Sequence, residues 1–184
     1  MLEITFSSFP TLQTPRLLLR DITPDDAEAL FRMRSDERVM RYLGRPMQTE
    51  ISESAQLIDI IRHNFAENEA VTWGISLHGE PALIGTIGFW KMDKAHHRTE
   101  IGYALNADFW GRGIMDEAMT AALDYCFKVL NFHSVEANTA PENVASGRIL
   151  EKHGFVQEAY FRENFYFDGQ FLDSRIYSKI NPWH

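Results

Sequence analysis

The sequence predicts an α+β fold, a mixed β-sheet with helices packed on it. Three features point there. Runs rich in aliphatic, β-branched and aromatic residues recur between turn clusters. One long segment, residues 113–130, carries its apolar side chains at helical spacing. The elements also run strand, two helices, three strands, helix, strand, helix, two strands, an order that gives a mixed sheet covered by helices. The 184 residues suit one domain, 1–184, with no repeat, low-complexity stretch or long linker.

Residues 16–20, Arg-Leu-Leu-Leu-Arg, form the first strand. Thr23 and Pro24 then start a helix that runs to Arg34. Thr23 suits the N-cap, Pro24 the first helical position, and Asp25 and Asp26 the positive end of the helix dipole. A second helix covers 52–64, with Leu57, Ile58 and Ile61 inward. Strands 71–77 and 82–90 flank the turn cluster His78-Gly79-Glu80-Pro81, and a third strand spans 98–105. The helix from Gly113 is about 27 Å long at about 1.5 Å per residue. Met115, Met119, Ala122, Cys126 and Val129 form its apolar stripe, and Asp116, Thr120, Asp124 and Lys128 a polar row. A strand over 132–139, a helix over 143–153 ended by Gly154, and a strand over 155–161 follow. Asp168-Gly169 then turns the chain into a last strand, 174–179.

A formal net charge of −8 argues against general attraction to nucleic acid or to anionic membranes, and is compatible with a cationic acceptor such as a protonated amine or a basic peptide, or simply with an acidic surface that keeps the protein soluble. The single cysteine, Cys126, excludes an internal disulfide and reads as a buried core thiol on the helix stripe. The N-terminus lacks the pattern of a secretory leader, and no apolar run approaches the roughly 18 residues of a membrane span, so a cytoplasmic protein is expected.

The most informative motif is Trp110-Gly111-Arg112-Gly113-Ile114-Met115, between the 98–105 strand and the long helix. Glycines in such a turn let an anion approach the free N–H groups and positive dipole end of the helix. The pattern is neither a P-loop nor a dinucleotide fingerprint, whose third glycine is replaced by Asp116. His96, His97 and Glu100 make a poor metal site, because adjacent histidines point apart and no further ligand is suitably spaced. No metal is expected.

Together these motifs resemble the GNAT acetyltransferase superfamily, in particular its branch of ribosomal-protein alanine and serine N-terminal acetyltransferases. The resemblance spans nearly the whole chain. It rests on Thr14-Pro15-Arg16-Leu17-Leu18-Leu19-Arg20, Thr99-Glu100-Ile101-Gly102-Tyr103-Ala104-Leu105, Phe109-Trp110-Gly111-Arg112-Gly113, Asn143-Val144-Ala145-Ser146, Leu150-Glu151-Lys152-His153-Gly154-Phe155, and Asp168-Gly169 with Asp173 and Tyr177. It implies a mostly antiparallel sheet of about seven strands flanked by about four helices. It also implies acetyl-CoA as co-substrate, lying between the 98–105 strand and the strand near Val135. Its pantetheine arm would pair like an added strand with Tyr103, Ala104 and Leu105. The pyrophosphate would sit on the loop of Trp110, Gly111, Arg112, Gly113, Ile114 and Met115, and Asn143 and Ser146 would hydrogen-bond the coenzyme. The chain departs from the family loop, Gln/Arg-x-x-Gly-x-Gly/Ala, at its first and sixth places, Trp110 and Met115.

Acetyl transfer to an amine needs a neutral nucleophile and a proton for the departing thiolate. Neutralising a lysine at pH 7 costs about 3.5 kcal/mol more than neutralising an α-amine, so an α-amine acceptor needs only a modest base, acting directly or through water. Glu100, on the strand leading to the thioester, is the candidate base; the competing reading is a solvent-facing residue paired with Arg98 or a neighbour. Ser146 is the candidate acid by resemblance, the competing role being to bind coenzyme or steady its helix. Tyr160, Tyr166 and Tyr177 are alternative donors, and Trp73, Phe89 and Trp90 read as core or hairpin aromatics, the alternative being that one of them lines the acceptor pocket. His153, at a helix end, reads as a cation complementing the dipole. The reading is an acetyl-CoA-dependent N-acetyltransferase acting on an amine, first a protein N-terminal α-amine of the ribosomal-protein kind. A small-molecule amine acetyltransferase and a non-catalytic acetyl-CoA sensor are the alternatives. Residues 34–69 cover the acceptor side, and monomer and homodimer are both open.

Overall fold

The computed structural model describes residues 2–183. Its elements, in chain order, are β1 (Leu12–Gln13), β2 (Leu17–Arg20), α1 (Ala27–Arg34), α2 (Glu37–Met40), α3 (Ile51–Ala66), β3 (Val71–Leu77), β4 (Glu80–Asp93) and β5 (Arg98–Leu105), then α4 (Ile114–Lys128), β6 (Ser134–Thr139), α5 (Val144–Lys152), β7 (Val156–Phe167) and β8 (Gln170–Ile180). Single 3-10 turns, Pro24–Asp26 and Ala107–Phe109, precede α1 and follow β5. All eight strands join one sheet in the order β1-β2-β3-β4-β5-β6-β8-β7, antiparallel except for β5 against β6.

The eighth strand, β1, is two residues paired with β2, and the fifth helix, α2, is one turn capped by Asp36, which accepts from the Arg38 N–H. Hydrophobic periodicity cannot register elements this short, so about seven strands and four helices become eight and five. The turn cluster at 78–81 shrinks to His78-Gly79, because Leu77 already faces Glu80 across the hairpin. Likewise β7 and β8 run on until they meet at Asp168-Gly169, both at positive φ.

Two apolar clusters place the helices on opposite faces of the sheet. One packs α4 and Leu150 of α5 against Leu17, Leu19, Val71, Trp73, Ile75, Phe89 and Ile101. The other packs α1 and α3 against Ile22, Leu83 and Ala104. Met119, Ala122 and Cys126 of the expected α4 stripe are buried there, whereas Val129, the C-cap beyond the last helical residue, is 59% exposed. Met115 is only partly buried against the core. No helix among the described residues is long and apolar enough to cross a membrane.

The feature that builds a site is a break in pairing. β5 and β6 run parallel but pair only at Arg98↔Ser134, Thr99↔Val135 and Glu100↔Glu136. On its other side β5 stays paired with β4 as far as Leu105. Residues 101–105 therefore keep one open edge, a row of backbone groups that an extended ligand can pair with.

Candidate active site

Alternation along β5 sends its side chains to the two faces in turn. Ile101, Tyr103 and Leu105 join the α4–α5 cluster, while Ala104 joins the α1–α3 cluster. Glu100 and Gly102, in phase with Ala104, thus face α1 and α3. The candidate base and the candidate acid approach the open edge from opposite faces. A cavity of about 1170 Å³ runs through this gap, and Glu100, Tyr103, Ala137, Asn143 and Ser146 all line it.

Glu100 is fixed from two sides. The Trp90 indole Nε1 donates to its Oε1 at 3.2 Å, and Lys91 Nζ lies 2.7 Å from Oε2. Its side chain is 13% exposed, against 71% for Lys91. Its partners are thus Trp90 and Lys91 and not Arg98, which bonds Glu136. An ionised carboxylate has about four acceptor directions, so capacity remains for a water or an amine. The Trp90 ring lies across Gly102, where an added Cβ would sit 1.7 Å from the indole.

On the other face the Tyr103 hydroxyl and Ser146 Oγ are 2.7 Å apart. Burial pushes the Tyr103 phenol up to about 12, against a smaller opposing effect of the Ser146 hydrogen bond. The pair therefore holds two hydroxyl protons at any working pH. One lies in the mutual hydrogen bond, and the other is available to a third group. Asn143 caps α5 by accepting from the Ser146 N–H at 3.1 Å, which fixes Ser146 at the helix start. Of the alternative donors, Tyr177 is buried beneath Gly147 of α5, and Tyr160 and Tyr166 are exposed. Trp73 and Phe89 are core residues, as their burial shows, whereas Trp90 lines the cavity.

Beyond β5 the chain turns through Gly111 and Gly113, at φ +73° and +72°, conformations that residues with a Cβ adopt only under strain. A Cβ on Gly111 would meet nothing within 4 Å, so the backbone angle rather than a lack of space requires glycine there. The Trp110 N–H donates to the Ala107 carbonyl, and its ring Nε1 to the Leu105 carbonyl at 2.8 Å. The amides of Gly111, Arg112 and Gly113 have no backbone partner among the described residues, and the first N–H groups of α4 have none within the helix. The offered donors thus begin at Gly111, one residue later than the motif implies.

Two acids in the first turn of α4 would repel an anion, and both are countered. Asp116 bonds Lys152 at 2.8 Å and His153 at 3.0 Å, and these partners, Lys152 foremost, hold its carboxyl below the usual range. Glu117 bonds the Arg16 N–H at 2.8 Å and its guanidinium at 2.6 Å, and Arg16 also donates to the Arg112 carbonyl. Arg112 folds back on the loop, donating to the Asp108 carbonyl and covering the Phe109 ring. His153 is thereby a partner of Asp116, and burial pushes its pKa down, which weakens its reading as a dipole cation. An open strand edge, glycine-held amides and countered acids fit an extended ligand that ends in a pyrophosphate.

Of the three aromatics Trp73, Phe89 and Trp90, Trp90 is the one that lines the cavity. Residue reading alone passes over Arg16 and Lys91: Arg16 lies inside a motif read only as a strand, and Lys91 reaches the site through a pairing register that spacing does not reveal. Arg34, Arg41 and Arg45 also line the cavity. His96 and His97 lie in the β4–β5 turn, and no group of His, Cys, Asp and Glu suited to a metal occurs among the described residues.

The profile of the family described as Acetyltransferase (GNAT) domain matches residues 16–156. The chain is 36% identical over 174 residues to the uncharacterized N-acetyltransferase YoaA of Bacillus subtilis, covering 95% of this chain and 98% of that one. It is 27% identical over 176 residues to the ribosomal protein uS5-alanine N-acetyltransferase of Escherichia coli (93% and 91% covered). It is 25% identical over 163 residues to a spermidine N(1)-acetyltransferase of Vibrio cholerae (88% and 92% covered). Among solved structures, a GNAT-family acetyltransferase from Bacillus anthracis superposes with a TM-score of 0.83 at 29% identity, covering 94% of this chain and 99% of that chain.

Proposed function

The chain belongs to the GNAT acetyltransferase family and is an acetyl-CoA-dependent N-acetyltransferase, and from that premise we propose that it acetylates the N-terminal α-amine of a protein, of the ribosomal-protein kind, by direct transfer. Residues 1–184 act as one catalytic domain, in the cytoplasm. Acetyl-CoA supplies the acetyl thioester. The open edge of β5 at Tyr103, Ala104 and Leu105 holds the extended arm, and the amides from Gly111 to Met115 take the pyrophosphate. Glu100 takes a proton from the acceptor amine, directly or through water. Ser146, backed by Tyr103, holds the proton that the leaving sulfur receives.

The observation that carries this reading is the placement of one fixed carboxylate, Glu100, across the open edge from the Tyr103–Ser146 pair. An α-amine needs no more than one modest base. A polyamine would bring further positive charges beside Arg34, Arg41 and Arg45, which line the same cavity. That favours a single amine over a polycation, in keeping with the name of the uS5-alanine relative.

Free thiol release from acetyl-CoA tests the reading, with purified protein and a panel of peptides with free α-amines, N-blocked lysine peptides, free amino acids and spermidine. Turnover of the α-amine peptides above the rest is expected. Turnover confined to spermidine or free amino acids would move the function to small amines, and coenzyme binding without any turnover would make it a sensor.

A further inference from the structure

Three arginines of the acceptor groove form no ion pair among the described residues. Arg34 ends α1, and Arg41 and Arg45 follow α2; all three line the cavity. The chain as a whole carries a net charge of −8, and Lys91 in the same cavity is paired with Glu100. No ion pair joins Arg34, Arg41 or Arg45 to an acid among the described residues. Arg34 is the extreme case, because its Nε is buried and has no hydrogen-bond partner among the described residues. Burial pushes its pKa down, and the neighbouring charge of Arg45 adds to that. A guanidinium does not shed its proton to relieve such strain.

The acids that line the groove, Glu100, Glu142 and Asp173, do not relieve it either. Glu100 is held by Trp90 and Lys91, Asp173 by the Tyr160 hydroxyl and the Glu163 N–H, and Glu142 forms no ion pair with any of the three arginines. The coenzyme's phosphates are a poor match, since α1 packs on the face of the sheet opposite α4, whose N-terminus offers the anion site. The groove wall beside the arginines is apolar, with Leu57, Ile61 and Phe165, which strengthens a charge pair formed there. Phe165 closes on the 41–45 segment at Gly44, where an added Cβ would lie 2.5 Å from its ring.

We propose that the preferred acceptors are N-termini with an acidic side chain within the first few residues, its carboxylate seated among Arg34, Arg41 and Arg45 while the α-amine lies at Glu100. The inference rests on the α-amine reading. Arginine suits the role because its planar fork binds a carboxylate through two parallel hydrogen bonds. A basic residue at the same place is rejected by the same three charges.

The test compares peptides that begin with alanine and differ only in the second and third residues, glutamates, glutamines or lysines, by kcat/KM with acetyl-CoA in excess. The glutamate peptide is expected to exceed the glutamine peptide by roughly tenfold, about 1.4 kcal/mol, and the lysine peptide to be slowest. In the exposed double variant Arg41→Gln/Arg45→Gln the glutamate-to-glutamine ratio is expected to fall to about two or less. Arg34→Gln is expected to lower the same ratio, and a variant that fails to fold there leaves the double variant to decide. Equal rates across the panel overturn the acidic preference while keeping α-amine acetylation. No turnover of any peptide, with a small amine turned over, overturns the α-amine reading and this inference with it.

Discussion

Glu100 is held by neighbours from its own sheet. Trp90 faces it directly across the β4–β5 register, and Lys91 reaches it from the next position, where the backbone is at φ +50° beside a register shift. A base fixed by two partners is oriented for one proton, and Glu100→Gln keeps the shape while removing the basic group. The expected result is a fall of about 10²–10⁴ in kcat/KM with acceptor binding retained. An unchanged kcat/KM would remove Glu100 as the base. Trp90→Phe keeps an aromatic ring beside Gly102 but loses the indole donor to Glu100; it is expected to lower kcat/KM by less than Glu100→Gln does. On the opposite face, Tyr103 at about 12 stays a neutral hydroxyl through the working range. Tyr103→Phe is therefore expected to lower kcat without adding or removing a limb below pH 10.

At the level of elements, the glycine turn ahead of α4 makes its own prediction. Gly111→Ala meets no steric obstacle, so its direct cost is the left-handed backbone, about 1–2 kcal/mol. The acetyl-CoA KM is expected to rise several-fold while the KM of the acceptor stays near its value. Gly79→Ala, at φ +80° and also in open space, controls for stability: its Tm falls comparably and its acetyl-CoA KM is unchanged. The start of α1 depends on a buried ion pair. Asp26 accepts two hydrogen bonds from Arg20 at 2.8 Å and one from the Thr23 N–H. Burial by itself would raise the Asp26 pKa; Arg20 and Thr23 outweigh it and bring the carboxyl below its usual range. The unfolded chain takes up that proton first as pH falls, so the stabilisation is complete above about pH 4 and disappears as pH drops through the lower folded-state value. Asp26→Asn is expected to cost about 2–3 kcal/mol at pH 7, and the gap to wild type in urea unfolding is expected to close well below pH 4. A gap independent of pH would mean that the charge on Asp26 does not contribute.

Across the whole molecule, one sheet carries the site because one of its seven pairings is parallel and short. Much of this was legible in the chain. The 71–77 and 98–105 strands and the glycine turn are local signals, and they fall where spacing places them; the cap that Asn143 makes on α5 emerges only in the structure. What stayed hidden depends on partners distant in sequence. The face chosen by Glu100 follows from which helices cover each side of β5, and alternation alone is symmetric between the two. Arg34, Arg41 and Arg45 come to line one cavity only when the 41–45 segment folds against Phe165. Val129 shows the reverse error, a residue in helical phase that lies past the helix end. The claim that joins these scales is that the groove beside Glu100 receives a protein N-terminus. Mass spectrometry of protein N-termini from cells with and without this chain tests it most directly. The account predicts at least one N-terminus, acidic in its first few residues, that is acetylated only when the chain is present; identical N-terminal acetylation in both would contradict it.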